Sequence, residues 1–220
     1  MILKVNEYTC VVLDLDDTIY FEYDYLKSAY KYISNVLENK SSNNLYLKMI
    51  NIYKNKGDVF NYIISTYNNG LTLDYLLSLY RNHYPIITPN PGVIDFLNAV
   101  KKMGGVLGLL TDGRSVTQRN KLKALGIIDY FDEIVISEEF GSEKPSPRNY
   151  RFFMKKYRDF SFVYIGDNLM KDFIIPKRFG WLCVALQNSK YMIHQYSISD
   201  FTDKYLPHFF ISSFKDIKVI

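Results

Sequence analysis

The apolar run Cys10-Val11-Val12-Leu13 feeds straight into Asp14-Leu15-Asp16-Asp17-Thr18, and few folds accommodate that junction. The run predicts a buried strand, yet ionised carboxylates avoid an apolar interior unless a cation or hydrogen-bond donors hold them. Alternation along a strand places Asp14 and Asp16 on one side, so two acids converge on one small volume. Such a pair asks for a metal ion and suits chemistry on a charged substrate. Asp-Asp-Thr is also good turn and N-cap chemistry, so a solvated turn is the alternative for this segment taken alone.

Further apolar, β-branched runs predict buried strands of a parallel sheet at 9–13, 105–110, 133–136, 162–165 and 181–186. Four of the five run directly into polar residues: Asp14, Thr111, Ser137 and Gly166-Asp167. In open α/β sheets ligands bind at the carboxyl ends of strands, so polar residues gathered there read as a site. Helical patterns alternate with the strands, over 91–103, 116–125 (basic on one face), 147–157 (with Ser146-Pro147 as N-cap and N1) and from about 172 to before Gly180. Right-handed βαβ crossovers follow.

From 20 to 87 the rhythm breaks. Helical patterns at 25–38, 45–54, 58–67 and 72–80 have no strand between them, and loop signals at 39–44, 55–57 and 68–70 separate them. Pro85, Pro89 and Pro91 mark a return hinge. The reading is an α/β core formed by 1–19 and 88–220, with five or six parallel strands, and an all-helical module at 20–87. Near the carboxyl end, 208–212 predicts a short last strand and 214–217 a helical turn.

Composition narrows the function. Net charge is +4, from 27 Lys and Arg against 23 Asp and Glu, without a basic block, so nucleic acid is not an expected partner. No apolar stretch approaches the roughly 18–20 residues of a membrane span. The first residues lack the pattern of a secretory signal, so a cytoplasmic location is expected. Cys10 and Cys183, in strand-like runs, read as buried reduced thiols. His83, His194 and His208 read as structural residues.

Beyond the first segment, three others carry candidate chemistry. Thr111-Asp112-Gly113 offers a hydroxyl and backbone N–H groups at a strand end, an anion cradle or equally a helix N-cap. Lys144, in Gly141-Ser142-Glu143-Lys144-Pro145, could neutralise phosphate and a nucleophile's charge, although a loop lysine is usually just solvated. Gly166-Asp167-Asn168-Leu169-Met170-Lys171-Asp172 supplies a glycine for close backbone approach and two acids five apart. Hard oxygen ligands of this kind suit Mg²⁺. Asp172 also fits as an ordinary helix N-cap.

Taken together, Asp-x-Asp, Thr, Lys and Gly-Asp-x₄-Asp, in that order and each after a strand, resemble the haloacid dehalogenase superfamily of Mg²⁺-dependent phosphatases, from about Val11 to Leu186. The resemblance implies a Rossmann-like sheet with helices on both faces and Asp14 as nucleophile. It implies Asp16 as acid/base, Thr111, Asp112 and Lys144 around the phosphate, and a Mg²⁺ site of Asp14, Asp167 and the Asp16 main-chain carbonyl. Asp172 would support that site from behind. The helical module resembles the small α-helical cap of the family, and the short stretch between Thr111 and Lys144 leaves no room for the larger α/β cap. Tyr20, Phe21, Glu22 and Tyr23 would then face the leaving group, with Arg81, His83 and Lys56 as weaker candidates.

Two departures bear on the chemistry. Dehalogenases of the family lack an acid two residues after the nucleophile, so Asp16 points to phosphate. Many relatives have Asn after the Ser or Thr of the second motif, where Asp112 brings an extra negative charge. The expected activity is Mg²⁺-dependent hydrolysis of a small phosphomonoester through an aspartyl-phosphate on Asp14. Sugar phosphates, phosphoglycolate, nucleoside monophosphates and acylneuraminate 9-phosphate all fit. A phosphomutase on the same core and a non-catalytic phosphate-binding or signalling module are the alternatives, and the sequence does not determine an oligomeric state.

Overall fold

After a two-residue strand β1 (Ile2–Leu3), the chain enters β2 (Thr9–Leu13), buried at all five positions. The structure is a computed structural model describing residues 1–38, 44–67, 70–187 and 198–220. His194, positions 39–43 of the first expected loop and Asn68-Asn69 of the third lie outside the described residues. Strand β2 sits inside a six-stranded sheet, flanked by β3 (Val106–Thr111) and β5 (Ser161–Gly166). Outward from β3 lies β4 (Glu133–Ile136), and outward from β5 lie β6 (Leu182–Leu186) and β7 (Phe209–Ile211). Every pairing in the sheet is parallel, as continuous apolar strands require when both faces are covered.

Register carries this order to the site. Leu13 pairs with Leu109 on one side and Ile165 on the other, so Asp14, Leu110 and Gly166 reach the same edge together. The Asp14 amide donates to the Ile165 carbonyl at 2.9 Å, continuing the ladder one residue into the acidic loop.

Alternation divides the core in two. Val11, Leu13, Leu107 and Leu109 pack with Phe96, Leu97 and Val100 of α5 (Val93–Lys102) and Leu122 of α6 (Ser115–Ala124). On the opposite face Cys10, Val12, Tyr164 and Cys183 pack with Tyr150 and Phe153 of α8 (Pro147–Lys156) and Ile175 of α9 (Ile174–Arg178). Ser146 caps α8 by accepting from the Arg148 amide, with Pro147 in the first turn, as the sequence predicts. A short helix at Ser137–Phe140, α7 in chain order, was not expected, because four residues carry no readable period. Both cysteines are buried and free, and burial pushes each thiol up to about 12.

Between 20 and 87 lie α1 (Glu22–Leu37), α2 (Asn44–Lys54), α3 (Val59–Tyr67) and α4 (Leu73–Asn82). Leu26, Ile33, Met49, Ile63 and Leu76 give them a core of their own. Helix α1 starts three residues before the predicted position because the Asp17 carboxylate accepts from the Glu22 amide at 2.8 Å, satisfying an N-terminal N–H. The core helix α6 holds the end of α4: Thr117 Oγ1 donates to the Arg81 carbonyl at 2.9 Å, and Asn120 Nδ2 to those of Asn82 and His83.

A second, two-stranded parallel pairing joins β1 to β8 (Lys218–Val219). The sequence does not announce it, since strands of two residues show no alternation. Strand β7 and the turn at Phe214–Asp216 match expectation. Among the described residues no helix is long and apolar enough to cross a membrane.

Gly108 in β3 faces Phe153, and a Cβ there would lie 2.6 Å from Phe153 Cε1 and 3.2 Å from Val12 Cγ2. Gly108→Val is expected to cost about 1–3 kcal/mol through overpacking. Chemical denaturation of single and double variants checks this: combined with Phe153→Leu, the penalty shrinks because the two side chains compete for one space.

Candidate active site

The carboxyl edge of the sheet opens into a cavity of about 230 Å³. Asp14, Asp16, Thr111, Asp112, Lys144 and Asp167, all singled out from the sequence, line it together with Glu22. Asp172 stays behind the wall, fully buried. Asp17, Asn168 and Lys171 complete the lining. Lys171 Nζ reaches Asp112 Oδ2 at 3.3 Å. Both Asn168 and Lys171 sit between Gly166 and Asp172, where the two acids and the glycine are the residues the sequence singles out.

Lys144 is the hub. Its ammonium lies 2.8 Å from Asp14 Oδ1 and 2.8 Å from Asp172 Oδ1, and only 6% of the residue is exposed. Burial opposes its charge, but the carboxylates of Asp14 and Asp172 more than offset this and hold its pKa well above the usual value. The loop is fixed from the other side, because the Lys144 amide donates to Asp112 Oδ1 at 2.9 Å. The extra acid of the second motif therefore acts as a staple between loops, tied to the Lys144 backbone and the Lys171 ammonium.

Asp172 has no unengaged oxygen. Oδ1 takes Lys144 and the Tyr164 hydroxyl at 3.1 Å, while Oδ2 accepts the amides of Asp167 at 3.2 Å and Asn168 at 3.0 Å. This packing explains Gly166: a Cβ there would fall 2.4 Å from Asp172 Oδ2. Only glycine lets the carboxylate close onto the loop.

Asp16 belongs to a separate network. Its Oδ1 pairs with Lys121 Nζ at 2.6 Å and accepts from the Tyr20 hydroxyl, and its Oδ2 accepts from Gln118 Nε2 at 2.8 Å. Gln118 also donates to Thr111 Oγ1 at 2.6 Å. Burial alone would raise the Asp16 pKa, yet Lys121, Tyr20 and Gln118 hold it below the ordinary carboxylate range. Tyr20 is fully buried beneath Asp16 and does not line the cavity, contrary to the expectation that it faces a leaving group.

Other candidates lie elsewhere. Phe21 borders a different, smaller cavity with Asn90, and Tyr23 stacks on Tyr53. Arg81, His83 and Lys56 are absent from the lining. His83 is buried, with Nδ1 2.8 Å from the Tyr80 carbonyl and Nε2 3.2 Å from Ser28 Oγ, and burial lowers its pKa. His208 Nδ1 accepts from the Cys183 amide at 2.9 Å. Both are structural contacts.

The acids fit a cation. Oxygens of Asp14, Asp167 and Asp172 lie within 4.8 Å of one another, all buried. Burial pushes the Asp14 carboxyl up to about 7, and Lys144 pulls it back only in part. Burial, with repulsion from Asp14, raises Asp167 as well. The negative charge gathered here exceeds what Lys144 compensates, the condition under which buried acids take a metal ion. Because both Asp172 oxygens are engaged, Asp14 and Asp167 are the side chains left to offer ligands.

Comparison with known proteins supports the same reading. A family model for haloacid dehalogenase-like hydrolases matches residues 11–186. Glyceraldehyde 3-phosphate phosphatase of Methanocaldococcus jannaschii is 28% identical over 195 residues, 82% of this chain and 86% of that protein. Its namesake from Methanopyrus kandleri is 36% identical over 121 residues, 53% of this chain and 51% of that one. Among solved structures, the HAD-hydrolase YfnB of Bacillus subtilis bound to magnesium has a TM-score of 0.66 at 18% identity, covering 95% of this chain and 96% of that one. With the motif order, the sheet and most of the chain in agreement, this protein belongs to the haloacid dehalogenase-like hydrolases.

Proposed function

We propose that this chain is a Mg²⁺-dependent phosphatase of small phosphomonoesters that works through an aspartyl-phosphate on Asp14. The observation that carries this reading is the Lys144 ammonium bridging Asp14 and Asp172 at the floor of an acid-lined cavity. Lys144 orients one Asp14 oxygen and leaves the other to attack phosphorus. As the Asp14–phosphorus bond forms, the bond from phosphorus to the leaving oxygen breaks, and Asp16 gives that oxygen a proton. In the second half Asp16 takes a proton from water, whose oxygen displaces Asp14 and releases inorganic phosphate. Thr111 and Lys144 bind the phosphoryl oxygens in both halves. Asp14, Asp167 and the Asp16 main-chain carbonyl would hold Mg²⁺, which when bound neutralises charge on the transferring group.

Magnitudes favour shared work. Accelerations of phosphate-monoester hydrolysis reach about 10²¹, whereas acid–base help contributes about 10²–10⁴. Positioned charge must supply most of the rest.

Residues 20–87 act as the cap, and Glu22 is their contribution to the cavity. Its carboxyl has no hydrogen-bond or ion-pair partner among the described residues, and burial pushes it up to about 8. A carboxyl there can exchange hydrogen bonds with substrate hydroxyl groups, and in its charged form it repels a substrate carboxylate. We therefore assign hydroxylated sugar-type phosphates as the substrate class, ahead of phosphoglycolate. The relatives named glyceraldehyde 3-phosphate phosphatase support that choice. The protein would act in the cytoplasm without a nucleic-acid partner.

Asp14→Asn is expected to abolish phosphate release from an aryl phosphate while the melting profile keeps its cooperativity; wild-type turnover would overturn the nucleophile assignment. In differential scanning calorimetry Mg²⁺ should raise Tm, and Asp167→Asn should remove most of that shift. With a panel of purified esters, Glu22→Ala should raise KM for sugar phosphates roughly 3–10-fold, one hydrogen bond's worth, and leave KM for an aryl phosphate unchanged.

A further inference from the structure

Lys121 presents a problem that the proposed reaction does not use. It stands on α6 at 4% exposure, in the same helical register as Gln118, Leu122 and Leu125, where apolar side chains belong. Among the described residues its single ion-pair partner is Asp16, at 2.6 Å. Two aromatic rings enclose the ammonium, Tyr25 at 4.5 Å and Tyr20 at 5.7 Å from the ring centroids. Desolvating a lysine is costly, and replacing a buried ion pair with well-packed apolar groups is often neutral or stabilising. Stability alone therefore gives no reason for a lysine here.

Its geometry does. Lys121 and the Tyr20 hydroxyl fix Asp16 Oδ1, and Gln118 fixes Oδ2, so the carboxylate plane cannot turn freely. Gln118 binds Thr111 Oγ1 with the same nitrogen, which ties Asp16 to the strand end that would receive phosphate. The helix bearing both residues is itself anchored, since Thr117 and Asn120 hold the carbonyls at the end of α4. Three donors from two parts of the chain thus converge on a cavity carboxylate that Lys144 does not hold.

We propose that Lys121 and Gln118, with the Tyr20 hydroxyl, are positioning residues that set the orientation from which Asp16 delivers a proton to the leaving oxygen. They touch neither phosphorus nor the leaving group. The inference rests on the acid/base role of Asp16 proposed above, and it adds a requirement for specific donors behind that residue.

Leaving-group dependence separates this from a merely structural role. An alkyl phosphate needs its departing oxygen protonated, whereas 4-nitrophenolate leaves without help. The measured quantity is kcat/KM, which reports steps through bond cleavage and not the later hydrolysis of the phosphorylated aspartate. Lys121→Met keeps the stem in its aromatic cage. It should lower kcat/KM at least about 10-fold for glycerol phosphate and less than about 3-fold for 4-nitrophenyl phosphate. Tyr20→Phe, which keeps the buried ring, should show the same asymmetry to a smaller degree, and it carries the test if Lys121→Met does not fold. Asp16→Asn serves as the reference. If that variant hydrolyses glycerol phosphate normally, the acid/base reading fails. If it is inactive on glycerol phosphate while Lys121→Met and Tyr20→Phe lower both esters equally or neither, the positioning proposal alone is overturned.

Discussion

A single buried ammonium makes the carboxyl edge of this sheet possible. Three acids with oxygens inside 4.8 Å would repel one another and the apolar strands beneath them. Lys144, at 2.8 Å from two of the three, is what lets β2 and β5 end side by side in carboxylates. Much of the local construction serves to keep that lysine where it is. Asp112 holds its amide, the Tyr164 hydroxyl shares Asp172 with it, and Gly166 leaves room for Asp172 to close in. Removing either carboxylate partner would leave a buried charge only half compensated, which is why the cluster behaves as a unit.

The sheet was legible because its five main strands are unbroken apolar runs, and such runs have little alternative once helices alternate with them. The principal site residues were legible for a related reason: a polar residue placed directly after a buried strand must land at one edge. Asp14, Thr111 and Asp167 follow from that rule, and Lys144 from its place between a strand and a helix. The rule fails where contacts are tertiary. Strands β1 and β8 are two residues each and find one another only at the ends of the chain. Tyr20 follows the first motif closely, but its position under Asp16 depends on how the chain turns into α1.

Lys121 and Gln118 mark the sharper failure. The basic character of α6 was visible, and a basic helix face normally means solvent. Here the exposed side of α6 carries Arg119, paired with Glu139, while Lys121 turns inward at the spacing of Leu122 and Leu125. Polar residues on an apolar register were the available signal. Their partner, Asp16, lies 105 positions before Lys121 and 102 before Gln118, so no local pattern could name it.

Two carboxylates held by two lysines from different parts of the chain would divide the proposed chemistry between them. Burial pushes the carboxyl of Asp14, the proposed nucleophile, up to about 7 against the pull of Lys144, while Lys121, Tyr20 and Gln118 hold that of Asp16, the proposed acid/base, below the ordinary carboxylate range. The proposed reaction needs Asp14 charged, and it passes a proton through Asp16 in both halves. Positive charge beside Asp14, from Lys144 and from a bound cation, would favour its charged form. Lys121 stays with Asp16 as a positioning group, and its ammonium lies against Tyr25 of α1, the same helix that brings Glu22 to the cavity. The proposed division of labour therefore needs both lysines, one beside the nucleophile and the other behind the group that carries the proton.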